Sequence, residues 1–399
     1  MIRSTPTVMG FLATALLVTG CSPHALRDTD EPEVPIPEAF SAAPEPEVVA
    51  PDDWWRSFGD PGLDRAVETA FDGNLGLRQA WARLAQAQAA AEVSGSFLFP
   101  EANLDAGATR TKTVFDLTGE QFFENRYSIG LGLSWELDIG RKIANRAEAA
   151  TLRAMASRDD AENTALLISG GVADAWFAVQ AQTALLDLLE SQSASSRTLL
   201  ELTELRYGRG VGTALQVLQQ RLQVESVEAE IPEIRTRLQT ARHELAVLLG
   251  MPPEFLVETE LAPGSILPEL PPTPELPSPR DLLERRPDLR AALARVAAAD
   301  REVAAAIAEL LPTIRLSASG GFQSTNVNGL TDDLIWSITG GLVQPLFDAD
   351  RRGSEVDRSK AVLQERVVFL DERFIVALRE VEDALVRERN QRDLLDRVR

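Results

Sequence analysis

One cysteine, Cys21, and two histidines, His24 and His243, are all the chain holds in 399 residues. A disulfide-stapled fold is excluded, and little room is left for a Cys/His metal site or catalytic dyad. Aromatic residues are scarce, at 6%, and much of the 44% hydrophobic content is Ala and Leu, which favours helix over sheet. Positive charge is in deficit: 40 Lys and Arg against 61 Asp and Glu leave −21, whereas a nucleic-acid partner needs a basic face. Proline is missing from Arg141 to Tyr207, and glycine occurs there only at 170 and 171. At ~1.5 Å per residue, this predicts one helix of about 100 Å. Such a length suits a rod, a coiled coil or part of a tube rather than a compact domain. The spacing of Leu185, Leu188, Leu189, Leu199, Leu202 and Leu205 suits lateral packing on neighbouring helices.

The N-terminus carries a targeting pattern. Arg3 precedes a short apolar run, "VMGFLATALLV" (8–18), too short to span a bilayer as a folded anchor. It ends in "LLVTGC", with Thr19 and Gly20 before Cys21, which resembles the lipobox of bacterial lipoproteins. That resemblance implies a signal peptide over 1–20, cleavage before Cys21, and diacylglycerol and acyl chains on that residue. Each buried methylene contributes about 0.8 kcal/mol, so several chains anchor firmly. Ser22 rather than Asp after the cysteine points to outer-membrane sorting. Residues 21–52 are rich in Pro, Glu and Ala and are expected to form a flexible tether, because they bury too little apolar surface to offset ordering.

Beyond the tether the pattern runs twice. Asp60-Pro61-Gly62 is a turn and helix entry, followed by a helix from about Asn74 to Gly95. Period-two alternation predicts strands at about 100–111 and 127–138, with 112–125 as the hairpin loop. In "YSIGLGLSWEL" (127–137), Ile129, Leu131, Leu133, Trp135 and Leu137 alternate with Gly130, Gly132, Ser134 and Glu136. A long helix is expected over 141–207 and another over 213–249, kinked at Pro232 and ended by Gly250. Residues 251–280 form a proline-rich connector. Then come a helix at 285–311, strands at 312–324 and 335–347, and a second long helix over 351–399. Pro100 corresponds to Pro312, and "VADAW" (172–176) to "VEDAL" (381–385), at offsets of 212 and 209 that differ only in the hairpin. The fold class is mainly α with a small β part, built as a duplicated helix-strand-strand-long helix unit.

No residue set suggests catalysis. Glu382, Asp383, Arg387 and Glu388 sit at spacings that make a solvated, paired helix face. His243, in "ARHELAVLL", reads as a helix-packing residue. The triplet Gly208, Gly210 and Gly212 in "RYGRGVGTALQVLQQ" invites a phosphate-loop reading. A phosphate loop needs a preceding strand and a following Lys-Ser/Thr; here a helix precedes and no Lys follows. The triplet is a turn, in which Gly208 or Gly210 ends one helix left-handed and Thr213 caps the next.

The ordered set "DDWWRSFGDPGLDRAVETAFDGNLGLRQAWARLAQAQAA", "RYGRGVGTALQVLQQRLQV", "ARHELAVLLGMPP" and "RRPDLRAALARVAAADREVAAAIAELLP" resembles the TolC-like outer-membrane efflux proteins. The likeness is strongest to the lipoprotein channels that serve RND-type pumps, and with the repeat it covers 52–399. It implies a homotrimer in which each chain gives four strands to one outer-membrane β-barrel, with long helices forming a periplasmic α-helical barrel. Barrel closure is a physical need, since single-chain barrels take about 8 strands or more and no strand edge faces lipid. Ile129, Leu131, Leu133, Trp135 and Leu137 then face lipid. The implied partners are a periplasmic adaptor protein and an inner-membrane RND pump, with no cofactor beyond the lipid on Cys21 and no metal. Gly208, Gly210, Val211, Gly212, Thr213 and Gln216 become the periplasmic tip that contacts the adaptor; relatives carry an aspartate of the gate near Gln216. The implied function is a drug or small-molecule efflux channel, and not an enzyme. Alternatives are the outer-membrane component of type I protein secretion, a truncated non-conducting fragment, or a periplasmic helical scaffold. By the 209-residue offset the counterpart of Tyr207 falls past Arg399, so the second tip and its following helix are expected to be missing.

Overall fold

A computed structural model describes residues 24–27, 31–40, 53–114, 121–258, 263–272, 276 and 278–398. A single 3-10 turn, Trp54–Phe58, leads into α1 (Pro61–Gly73) and α2 (Leu75–Ser96). Strands β1 (Glu101–Val114) and β2 (Gln121–Leu137) follow, then α3 (Lys142–Gly208) and α4 (Ala214–Leu248). The second half holds α5 (Leu282–Arg285), α6 (Pro287–Ala308), β3 (Thr313–Ser324), β4 (Leu334–Val343) and α7 (Arg351–Val398). The chain divides into two units, one holding 88–153 and 295–368 with 24–27, the other the described parts of 31–87, 154–294 and 369–398.

In the first unit the four strands form one antiparallel sheet in the order β1-β2-β3-β4. The hairpin is longer than the sequence indicates: β1 continues to Val114 and β2 begins at Gln121, inside the expected 112–125 loop. Thr, Phe and Val suit a pleated surface, and their polar neighbours mark a change of surroundings rather than the end of pairing. In contrast, β4 stops at Val343, short of 347, because Pro345 has no N–H to give the ladder. Asp138 fixes the start of α3, its two carboxylate oxygens accepting from Ile143 N at 2.9 Å and Ala144 N at 2.7 Å. Asp300, buried on α6, accepts from Arg27 N at 2.7 Å and lies 2.7 Å from His24 Nε2.

The second unit is helical. Its main core joins Leu63, Val67 and Leu77 to Val172, Trp176, Leu245 and Leu249. Asp60 organises one side of it. Asp60 Oδ1 accepts from Gly62 N (2.8 Å) and Leu63 N (3.2 Å), capping α1, while Oδ2 accepts from Trp176 Nε1 (2.8 Å) and Gln180 Nε2 (3.0 Å) on α3. A second core seats Val34, Ile36 and Phe40 on Leu282, Leu283, Leu289, Phe374 and Ala377. Residues 31–40 are therefore not a free tether: Phe40 is 7% exposed, and Glu33 N donates to Asp371 Oδ1 at 2.7 Å. Burying one such aromatic offsets local ordering by roughly 1.5–3 kcal/mol, which composition averaged over the whole segment conceals.

Candidate membrane face and hairpin tip

Register decides what the sheet presents. Residues directly opposite one another in an antiparallel ladder share a face. Leu104 pairs with Leu131, Leu131 with Gly320, and Gly320 with Trp336. Leu133 pairs with Ala102 and with Ala318, which pairs with Ile338; Trp135 pairs with Leu316. The residues singled out on β2 thus belong to one continuous apolar face spanning all four strands. Ile129, Leu131, Leu133 and Trp135 are 37–50% exposed and Leu137 is half-buried. On β4, Trp336 is 70% and Ile338 75% exposed, as no compact hydrophobic core would leave them. The same period-two alternation in the sequence marks Ala102, Leu104, Ala106 and Ala108 on β1 and Ile314, Leu316 and Ala318 on β3, all on this face.

The opposite face carries Asn103, Asp105, Ser128, Gly130, Ser134, Ser317, Ser319 and Thr339. Ser319 and Ser337 hydroxyls lie 2.9 Å apart across it. Gly130 and Gly321 sit opposite each other, and a Cβ on Gly321 would come within 2.5 Å of both Gly130 Cα and Ile129 O. Only glycine permits that approach of β2 and β3.

The second site is the α3–α4 turn. Val211 N donates to Arg206 O at 3.0 Å and Gly210 N to Tyr207 O at 2.9 Å, the paired bonds of a Schellman ending. Gly210, with φ of 77°, takes the left-handed position, while Gly208 is the last helical residue. Thr213 then caps α4 in a reciprocal box: Gln216 N donates to Thr213 Oγ1 (3.3 Å), and Thr213 N to Gln216 Oε1 (3.0 Å). Gln216 is thereby tied to the turn itself. A Cβ on Gly212 would meet Tyr207 N at 3.3 Å, so a side chain there presses on the turn, whereas Val211 projects outward at 80% exposure.

Behind the turn, α3 and α4 are held by a ladder that the sequence reading missed. Glu190 pairs with Arg235 (2.7 Å), Arg197 with Glu228 (2.6 Å) and Glu204 with Arg221 (2.6 Å). The three rungs recur every seven residues, alternate in sign, and are symmetric about the Gly212–Thr213 bond. Leu189, Val227 and Ile234 are buried between the helices. This is an antiparallel coiled coil with heptad-spaced charge pairs. Hydrogen bonds from Arg197 and Ser193 hold the Glu228 carboxyl below its ordinary range. The signal was present as Glu-Arg-Glu and Arg-Glu-Arg at intervals of seven, visible once the hairpin is folded about its centre.

The model of the family described as outer membrane efflux protein matches residues 66–251 and 278–398. This chain belongs to the outer membrane efflux protein family. The pyoverdine export outer membrane protein OpmQ of Pseudomonas aeruginosa is 32% identical over 358 residues, covering 86% of this chain and 73% of that protein. Nodulation protein T of Rhizobium leguminosarum bv. trifolii is 30% identical over 386 residues, covering 93% and 80%. Among solved structures, the outer-membrane channel OprN superposes with a TM-score of 0.83 at 27% identity, over 93% of this chain and 85% of that one. The open-state MtrE channel of Neisseria gonorrhoeae gives 0.80 at 23%, over 93% and 83%, a likeness of fold alone. The protein is an outer-membrane component of an efflux system with the mainly helical, small-sheet fold of TolC-like channels. Cys21 lies outside the described residues.

Proposed function

We propose that three copies of this chain join their four-stranded sheets edge to edge into one barrel, and that the barrel passes small organic molecules out of the cell. The observation that carries this is the continuous apolar face across β1–β4, backed by a polar, glycine-rich face. On β2 the apolar residues run from Tyr127 to Leu137, ten residues of rise. At ~3.4 Å each and a tilt of about 40°, that is about 26 Å of height, the ~25 Å of an outer-membrane apolar band. Among the described residues both β1 and β4 end the sheet with an unpaired edge, which lipid does not tolerate and a neighbouring copy satisfies. In the closed barrel Ile129, Leu131, Leu133, Trp135 and Leu137 face lipid. Lipid on Cys21 adds an anchor at the start of the mature chain. The tip around Gly208, Gly210, Val211, Gly212, Thr213 and Gln216 meets a periplasmic adaptor, which links the channel to an inner-membrane pump of the RND class. Leu215, Leu218 and Leu222, each more than 60% exposed, supply apolar surface for helix packing there.

The test is insertion. Unheated outer-membrane extracts in mild detergent should run as a trimer that heating dissociates. Ile338→Arg, in the middle of the apolar face, should cost roughly 2–4 kcal/mol per chain in the bilayer and remove the trimer from that fraction. A wild-type yield of inserted Ile338→Arg trimer would overturn the lipid-facing assignment.

A further inference from the structure

The apolar face is interrupted near the end of the sheet where β1 turns back into β2. Along β1 its members are Ala102, Leu104, Ala106 and Ala108, then the cations Arg110 and Lys112, with Val114 at the strand's end. Register sets Arg110 opposite Asn125 and Lys112 opposite Phe123. The Arg110 guanidinium carbon lies 5.2 Å, and Lys112 Nζ 5.9 Å, from the centre of the Phe123 ring. Among the described residues, these two cations are the only charged side chains on this face of the sheet. In a chain of net charge −21, two adjacent cations with no carboxylate on their face are a local reversal of sign.

The strands meet α2 and α3 at their other end; with the helices on the periplasmic side, as proposed above, the hairpin end is the one directed toward the cell exterior. We propose that Arg110 and Lys112, seated on Phe123, bind the phosphate groups of the acidic glycolipid, lipid A, that forms the outer leaflet of the outer membrane. The proposal rests on the reading that the apolar face meets lipid. Residues just past the apolar band lie at headgroup depth, and there the face changes from Ala108 to Arg110 within one step of the alternation. The ring of Phe123 sits at the level where aromatic girdles form, and it holds both cations beside one another through cation–π contact. Arg110 offers a planar fork to two phosphate oxygens, and Lys112 a point charge, in surroundings where lipid rather than water covers one side.

The experiment uses the full chain, purified in detergent, and a fluorescent lipid A carrying both phosphates, compared with the same lipid after removal of its phosphates. The wild type should bind the phosphorylated form about tenfold more tightly, the size of effect that charge-assisted hydrogen bonds supply. Arg110→Ser/Lys112→Ser should insert normally and lose that preference, while Arg110→Lys should keep most of it. Equal binding of both lipids by the wild type, or an unchanged preference in the double variant, overturns the proposal. Ile338→Arg separates the two levels. If it inserts normally, the lipid-facing reading itself fails. If it does not insert but the double variant keeps its phosphate preference, only the headgroup site fails.

Discussion

At the scale of single residues, Asp60 shows how one carboxylate serves two elements. Burial alone pushes its carboxyl up, but hydrogen bonds from the Trp176 indole, the Gly62 and Leu63 amides and Gln180 outweigh this and hold it below the ordinary carboxylate range. A carboxyl depressed in the folded state contributes stability that is present above its unfolded value, near pH 4, and lost as pH falls through the lower folded value. Asp60→Ala removes the cap of α1 and leaves the Trp176 N–H without its acceptor, at a cost of about 1–2 kcal/mol. Chemical denaturation in detergent should show the deficit at pH 7 and pH 5, and its shrinkage below pH 4. An equal deficit at pH 3 would mean that the carboxylate charge contributes nothing. The sequence showed Asp60-Pro61-Gly62 as a helix entry, but its bond to Trp176, 116 positions away, has no local signature.

At the scale of elements, the α3–α4 hairpin is legible in outline. The proline-free run and the glycine triplet predict two helices and a turn, and the structure bears out the turn with Gly210 in the left-handed position. Pro232 falls inside α4, which runs as helix from Ala214 to Leu248. The heptad charge ladder favours one register of the two helices, each exposed rung contributing only a little. Arg197→Glu places two carboxylates opposite each other at Glu228 and should lower the thermal midpoint of the hairpin. The compensating Glu228→Arg in the same chain should restore it, measured by circular dichroism of the purified protein. A double variant no better than the single one would show that this pair does not set the register. The β1–β2 hairpin is the contrasting element, since its polar, aromatic upper part resembles a loop by composition yet pairs as strand through Lys112 and Phe123.

At the scale of the whole molecule, two regions carry different tasks, a sheet with one apolar face and a helical hairpin with an exposed tip. Val211→Asp changes only the tip, at a residue 80% exposed, and disturbs neither the Schellman bonds nor the Thr213–Gln216 box. In cells it should leave the outer-membrane trimer intact and abolish export of the cognate compound, read as a fall in resistance or in secreted product. Normal export by this variant would remove the tip from the adaptor contact. Val211 serves better here than Gly212, where any side chain crowds Tyr207 and would confound a lost contact with a broken turn.

The amino-acid sequence by itself determined the duplicated order of helices and strands, the length of α3 and the place of its turn. Periodicity, proline and glycine act within a few residues of where they stand. Only the tertiary structure decided which apolar residues share a face, because a face that spans four strands depends on register between segments as distant as Leu131 and Gly320. It also decided that Phe40 packs rather than hangs free, and that Arg110 and Lys112, neighbours on one strand, both meet the Phe123 ring of the next. Such contacts arise from positions brought together across the chain, and local pattern carries no record of them.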